Sequence, residues 1–262
     1  MRFTLAILVS LATSVGAKEI CISHPYTTMP TAAHREIVSI FRGVAPTLKR
    51  FPSLETAVSN MTPELCLSDQ MHNAHAYLDV DKNRIVISQR LNTSMQIGVL
   101  LHEIRHLEQL AIGACPSEDL AMKEYARATF AMEADASAIS LLVAWNMANH
   151  GNDRVWAALS AWPTQKDIAV RFEEEMTKSG DLAAATTAAF DQWYRSPDRR
   201  ESYYLSACHQ YLDRIDESHA LPRYNLLPEG FLEDLCVLPD GKGYSCSAPT
   251  RALREPATSS KN

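Results

Sequence analysis

His102, Glu103 and His106 form an HExxH arrangement whose residue types and spacing suit metal chemistry. On an α-helix, residues four positions apart lie on one face, so both imidazoles can bind the same metal ion. Glu103 is rotated by about 100° from His102, so its carboxylate can reach a water molecule in the open coordination position. The spacing therefore predicts that one Zn²⁺ activates water and that Glu103 accepts the proton as general base.

A catalytic zinc ion needs a third protein ligand, and a second helix must supply it. A third histidine shortly after His106 is excluded, because Leu107-Glu108-Gln109 follows. Glu133 lies 27 residues after His106 in an alanine-rich run that would let two helices approach closely. We prefer Glu133 because its longer side chain spans an interhelical gap more easily. Asp135 is the alternative ligand, or else a hydrogen-bond partner of a ligand histidine.

The elements around the motif can be predicted from hydrophobic periodicity. Alternating apolar residues predict a strand over Asn73–Val80, a second over Ile85–Ile87, and hence a hairpin. A helix capped by Thr93 or Ser94 should carry HExxH to about Ile112. Ser117 should open a second helix that reaches about Asn149 and carries the third ligand.

The other elements are mainly helical. A first helix is predicted over Thr31–Leu48, followed by a polar stretch that contains Pro63. Beyond Asn152 the predicted helices are Val155–Trp162, Gln165–Lys178, Asp181–Tyr194 and Asp198–Ile215. The predicted fold class is α+β, mainly α, with a small antiparallel sheet packed on the two ligand-bearing helices.

The N-terminus and the cysteines predict export. Residues 1–17 combine Arg2, a short apolar run and a small-residue ending at Ala17, as in a cleaved signal peptide. The six cysteines all follow this segment, which favours disulfides in an oxidising compartment but leaves their connectivity open. We expect a periplasmic or secreted protein with a single domain over residues 18–222. Residues 223–262 should form a loop-rich, disulfide-tethered segment that ends in a disordered tail after about Arg251.

Charge and hydropathy exclude two classes of partner. The formal net charge is −6, and removal of Arg2 with the signal peptide makes it −7. An acidic chain without a basic run has no electrostatic footprint for nucleic acid. After residue 17, no segment approaches the roughly 20 apolar residues of a transmembrane helix, so we expect no integral membrane segment.

The sequence resembles the gluzincin zinc metallopeptidases, in particular an uncharacterised bacterial family in which EADA follows HExxH. Four segments carry the resemblance over roughly residues 70–145: NAHA at 73–76, IVIS at 85–88, LLHEIRH at 100–106 and EADA at 133–136. One departure concerns the third ligand. Many gluzincins place the ligand glutamate four residues before an aspartate or asparagine, but Ala131 occupies that position relative to Asp135.

The resemblance implies an exported metallopeptidase that takes peptide or protein substrates. Its edge strand, here Asn73–Tyr77, would pair with an extended peptide. A tyrosine or histidine from a downstream helix would hydrogen-bond the oxyanion, and Tyr203, Tyr204 and His209 are the candidates. The alternative function is a catalytically inactive envelope module for binding or assembly on the same scaffold.

Overall fold

The computed structural model describes residues 19–71 and 74–248. The predicted signal peptide, residues 1–17, and the predicted disordered tail lie outside the described residues. The described part is mainly helical with one small sheet, which confirms the α+β, mainly α prediction.

The sheet has four strands in the order β1-β2-β4-β3. The predicted hairpin is present as β3 (Ala76–Asp79) and β4 (Arg84–Ser88), which pair antiparallel. The prediction missed β1 (Ile20–Ile22) and β2 (Glu64–Ser68), and because β2 pairs parallel with β4 the sheet is mixed rather than antiparallel. The buried residues Leu65 and Leu67 explain β2, since a short apolar run without alternation is the pattern of a covered inner strand. Strand β3 lies at one edge of the sheet.

Two helices precede the hairpin. Helix α1 (Ala32–Leu48) has Thr31 as its N-cap, in agreement with the predicted first helix. Helix α2 (Pro52–Met61) was missed, although proline at its first position is a recognised start signal. Its ten residues carry a short apolar face, of which Leu54 is fully buried.

The predicted motif helix and ligand helix are α3 (Thr93–Ala111) and α4 (Met122–Asn149), which pack together. Asn92, rather than Thr93 or Ser94, caps α3 by accepting a hydrogen bond from the Met95 N–H. Helix α4 begins later than expected, because Leu120 is buried and pairs with the later chain at Asn225.

Helix α4 is long and apolar enough to cross a membrane by length and composition alone. Within the fold, 78% of its apolar window is buried. Its hydrophobic residues are therefore used for packing, as in the central helix of a globular core.

The next four helices agree with prediction to within one or two residues at each end. They are α5 (Arg154–Ala161), α6 (Lys166–Ser179), α7 (Leu182–Trp193) and α8 (Pro197–Glu217), and a short α9 (Phe231–Leu235) follows them. Helices α7 and α8 both pack against α4, so the central helix is covered along its length. Only α9, which lies inside the segment predicted to be loop-rich, was not expected.

Four of the six cysteines pair. Cys21–Cys66 joins β1 to β2, and Cys236–Cys246 closes a short loop after α9. Within residues 19–71 and 74–248, Cys115 and Cys208 have no disulfide partner. The predicted domain boundary at residue 222 stays a prediction, but the segment after it packs on the core through buried Leu235 and Tyr244.

Candidate metal centre

Helix α3 brings the two motif histidines together. His102 and His106 are one helical turn apart, and their Nε2 atoms are separated by 3.0 Å. The ring centroids are 4.6 Å apart with the ring planes nearly perpendicular. Both Nε2 atoms therefore converge on one point beside the helix, as binding to a single ion requires.

Helix α4 adds the carboxylate of Glu133. Its Oε2 lies 3.3 Å from His102 Nε2, and its Oε1 lies 3.4 Å from His106 Nε2. A metal held tetrahedrally with bonds of about 2.0–2.1 Å would have its ligand atoms about 3.3–3.4 Å apart. The three side chains, 13–18% exposed, thus have the chemistry and the separations of a three-ligand metal site that is open on one side.

Charge is balanced within this cluster. Burial would raise the pKa of Glu133, but His106 and His102 outweigh it and hold the pKa well below its usual range. Burial would likewise lower the pKa of His106, but the charge of Glu133 and their hydrogen bond raise it to about 9. In the metal-free site the ionised Glu133 is therefore balanced by protonated His106, and a metal ion that binds here would displace the proton on His106 Nε2.

Glu103 lies next to the cluster and is only 6% exposed. Burial raises the pKa of its carboxyl, and the nearby His106, His102 and the backbone N–H of Leu78 only partly offset that effect. Leu78 belongs to β3, so Glu103 lies between the edge strand and the histidines. A carboxylate with a raised pKa in this position can accept a proton from a bound water molecule.

Of the three candidates for oxyanion stabilisation, Tyr203 on α8 reaches the site. The charge of Glu133, then burial, then the hydrogen bond that Tyr203 donates to Glu133 raise the pKa of its hydroxyl well above the ordinary value. Tyr204 instead contacts Cys208, and His209 is exposed. Helix periodicity could not have separated Tyr203 from Tyr204, because both share a face of α8 with the buried Ala207 and Tyr211.

Asp135 does not point toward the two histidines. Its carboxylate is fully buried and accepts hydrogen bonds from Arg105 Nε at 2.6 Å, Arg105 Nη2 at 3.0 Å, Gln109 Nε2 at 2.6 Å and the Tyr244 hydroxyl at 2.7 Å. The alternative assignment of Asp135 as the third ligand therefore has no support in the geometry. Direct contact between Asp135 and a ligand histidine is also absent, because Gln109 lies between them.

Gln109 connects Asp135 to His106. Its Nε2 donates to Asp135 and, at 3.0 Å, to the carbonyl of Met132, so both amide hydrogens are used. Its Oε1 lies 2.7 Å from His106 Nδ1 and must accept from that nitrogen. One proton of His106 is thereby held on Nδ1, so Nε2 is the nitrogen that would bind a metal, in exchange for the proton it shares with Glu133.

Arg105, inside the motif, organises the buried side of the site. Besides Asp135, it donates to Glu108 Oε2 at 2.5 Å and to the carbonyls of Leu235 and Val237 at 2.7 and 3.1 Å. Sequence reasoning missed this role, and the partners 130 residues away could not be foreseen. One feature of the sequence could have indicated a buried role for Arg105. It lies between Ile104 and Leu107, and the helical pattern places both of these in the core.

A cleft of about 1620 Å³ passes over the site. One wall is the edge strand with its flanks, residues 74–81, and another is the segment 162–167. The third is a face of α8 that comprises Tyr203, Ser206, Gln210, Asp213, Arg214 and Glu217. Of the edge segment predicted to bind peptide, residues 74–77 line this cleft, and Asn73 lies outside the described residues.

Comparison with known proteins gives one family. A family model described as "Putative metallopeptidase family (DUF6782)" matches residues 14–246, which span both ligand helices, the sheet and the C-terminal segment through Cys246. No curated protein and no solved structure matches the chain.

Proposed function

The chain belongs to the "Putative metallopeptidase family", and on that premise we propose that it is an exported, zinc-dependent peptidase with a gluzincin-like centre. The metal ligands in this proposal are His102, His106 and Glu133, and the general base is Glu103. One observation carries it: the Nε2 atoms of His102 and His106 lie 3.0 Å apart, and each lies 3.3–3.4 Å from one carboxylate oxygen of Glu133. This cluster lies beside the buried carboxylate of Glu103 at the floor of a cleft.

When bound, zinc would supply Lewis acidity at the scissile carbonyl and lower the pKa of a water molecule. Glu103 would accept a proton from the attacking water and would donate it to the leaving amine. Its raised pKa favours holding the proton between these two steps. In this proposal the Tyr203 hydroxyl donates a hydrogen bond to the developing oxyanion. A hydrogen bond that forms only in the transition state lowers the barrier, because it does not stabilise the bound substrate.

Strand β3 is the proposed substrate-binding edge. Among the described strands it pairs with β4 alone, and residues 74–81 line the cleft. An extended peptide can add there as a further strand through backbone hydrogen bonds. Such binding would lay the peptide across the metal centre.

Export is proposed from two features. The first 17 residues have the composition of a signal peptide, and two disulfides join cysteines that are in contact within the fold. Disulfides of this kind persist in the periplasm or outside the cell rather than in the cytosol.

The proposal is tested by metal analysis together with hydrolysis of casein and unstructured peptides. We expect one zinc per chain and hydrolysis that a chelator abolishes and added Zn²⁺ restores. Glu103→Ala should keep zinc but lower the turnover by about 10²–10⁴-fold, whereas Glu133→Ala should lose zinc. Glu173→Ala, an exposed glutamate on α6, is the matched control and should behave as wild type.

Two outcomes would overturn the proposal. One is purified protein without metal that does not acquire it, and the other is undiminished hydrolysis by Glu103→Ala. Tight zinc binding without hydrolysis of any peptide would favour the non-catalytic binding module instead.

A further inference from the structure

A side pocket extends from the metal centre along α4. Ser137 and Ser140 follow Glu133 by four and seven residues, so they lie on the same face of the helix, about 6 and 10 Å farther along it. Both serines line the cleft together with Gln165, at the start of α6. We call Gly98, Ser137, Ser140, Leu159 and Gln165 the polar pocket. Its distance from Glu133 suits the side chain of a residue next to a cleaved bond.

Gly98 sets the far end of the polar pocket. A Cβ atom at this position would lie 2.8 Å from Leu159 Cδ2, closer than real Cβ contacts. Only glycine therefore lets α5 approach α3 this closely. Because both residues also line the cleft, their contact closes the pocket with an apolar wall.

Gln165 has an unmet hydrogen bond in this pocket. It is 8% exposed; its Nε2 donates to Ser137 Oγ at 3.2 Å, but its Oε1 has no partner. With the amide turned over, Oε1 would accept from the Ser137 hydroxyl and Nε2 would be the unpaired atom, so one hydrogen-bonding atom of Gln165 is unpaired in either orientation. Among the described residues, the Ser137 hydroxyl oxygen takes part in one hydrogen bond, as the acceptor from Gln165 Nε2, so its own hydrogen stays available to a ligand in this orientation of the amide. Buried polar atoms without partners are rare in folded proteins, and one that lines a cleft is available to a ligand atom.

Charge narrows the class of ligand. Of the charged residues on this side of the cleft, Lys166 is exposed, and Asp167 is paired with Arg199 at 2.6 Å. No buried, unpaired charge among the described pocket residues could neutralise a charged side chain. An apolar side chain would leave Gln165 and Ser137 unpaired, which a buried site disfavours strongly.

We propose that the polar pocket binds the carboxamide of an asparagine or glutamine next to the scissile bond of a peptide substrate. A carboxamide both donates and accepts, so it can pair with Gln165 Oε1 and the Ser137 hydroxyl together. The broad terminal torsion of glutamine lets the Gln165 amide turn to meet it. This inference rests on the proposed peptidase function and assigns its substrate preference.

The test uses peptides that differ only at the residue on either side of the cleaved bond: glutamine, asparagine, norleucine, leucine, glutamate or lysine. Hydrolysis by the zinc-loaded wild type gives kcat/KM, and fluorescence anisotropy with Glu103→Gln gives binding without turnover. We expect glutamine or asparagine to exceed norleucine by about tenfold or more at one position. Gln165→Met and Ser137→Ala should reduce that ratio to about twofold or less, while Gln89→Met, at an exposed position outside the cleft, keeps it.

The outcomes separate the pocket from the proposed function. Cleavage with equal or better use of norleucine, or a preference that survives both Gln165→Met and Ser137→Ala, overturns the pocket assignment and leaves the peptidase intact. Binding that prefers glutamine and depends on Gln165, without cleavage by wild type, supports the pocket and overturns the peptidase. Neither cleavage nor a binding preference overturns both.

Discussion

Glu133 and Asp135 are two residues apart on α4, yet they enter regions that differ in how completely their polar groups are paired. The region around Asp135 is saturated: Arg105, Gln109 and Tyr244 all donate to its carboxylate. The region around Glu133 faces the cleft, and near it Gln165 Oε1 has no partner. Around Asp135 the polar groups satisfy one another, whereas on the cleft side hydrogen-bonding and coordination capacity stays free for a ligand.

Replacing a carboxylate by its amide should change the free energy of unfolding differently in the two regions. This is the largest effect that we expect on stability. Asp135→Asn removes the charge opposite buried Arg105 and should lower the free energy of unfolding by about 3 kcal/mol, the low end for a broken buried pair because Glu108 still contacts Arg105. Glu103→Gln should leave the free energy of unfolding unchanged or raise it, since burial already disfavours the charged carboxylate.

Urea unfolding of the metal-free proteins measures both changes, so that zinc binding does not contribute to stability. Wild type and the exposed variant Glu173→Gln provide the baseline. If Glu103→Gln destabilises the protein as much as Asp135→Asn, the distinction between the two regions does not hold.

Gln109 joins the two regions, so its loss should weaken metal binding by a smaller amount. Gln109→Leu removes the acceptor for His106 Nδ1–H and should lower zinc affinity by about 10–100-fold. Competition with a chromophoric chelator measures this affinity directly. Glu108→Gln also alters the Arg105 network but does not contact His106, so it should affect stability while zinc affinity stays at the wild-type value. Equal zinc affinities for Gln109→Leu and wild type would show that the contact is structural only.

The smallest change in stability is expected at the rim of the cleft, because the ion pair between Asp167 and Arg199 is partly exposed. Burial would raise the pKa of Asp167, but the hydrogen bonds from Arg199 and Gln192 lower it below its ordinary value of 3.8. A lowered folded-state pKa contributes stability above the unfolded pKa, and this contribution is lost as the pH falls through the folded-state pKa. Asp167→Asn should therefore cost under about 1 kcal/mol at pH 7.

Thermal unfolding of wild type and Asp167→Asn from pH 7 to pH 2.5 checks this sign. The difference in melting temperature should be constant above about pH 5 and shrink below about pH 4, close to the unfolded pKa. A difference that grows on acidification would contradict the assignment.

Local patterns predicted the parts of the site that depend on local structure. The HExxH spacing and the long apolar periodicity of α3 and α4 place His102, Glu103 and His106 on one helix and Glu133 on the next. The choice between Glu133 and Asp135 could also have come from helical phase, since two residues differ by about 200° and Asp135 faces away from the cleft. The greater length of the glutamate side chain also favours Glu133, but it distinguishes the two residues less clearly than their directions on the helix.

Contacts between distant parts of the chain could not be predicted. Arg105 meets carbonyls more than 120 residues later, and Tyr244 reaches Asp135 across 109 residues. Strand β2 could not be predicted for a related reason. Its short apolar run is stabilised as a strand by pairing with β1 and β4, and these lie elsewhere in the sequence. Tyr203 stayed one of three candidates because packing of α8 against α4, not its own sequence, directs it to Glu133.

The bonds from Arg105 to the carbonyls of Leu235 and Val237 impose an order on folding. These carbonyls lie 130 and 132 residues after Arg105, so the guanidinium obtains them only when the C-terminal segment has reached the core. Until then the guanidinium must be buried with part of its hydrogen bonds unmade, or α3 must stay unpacked. We therefore expect the motif helix to reach its final form only after the segment around Cys236–Cys246 has docked. The zinc centre would thus mature at the end of folding, although its ligands lie in the middle of the chain.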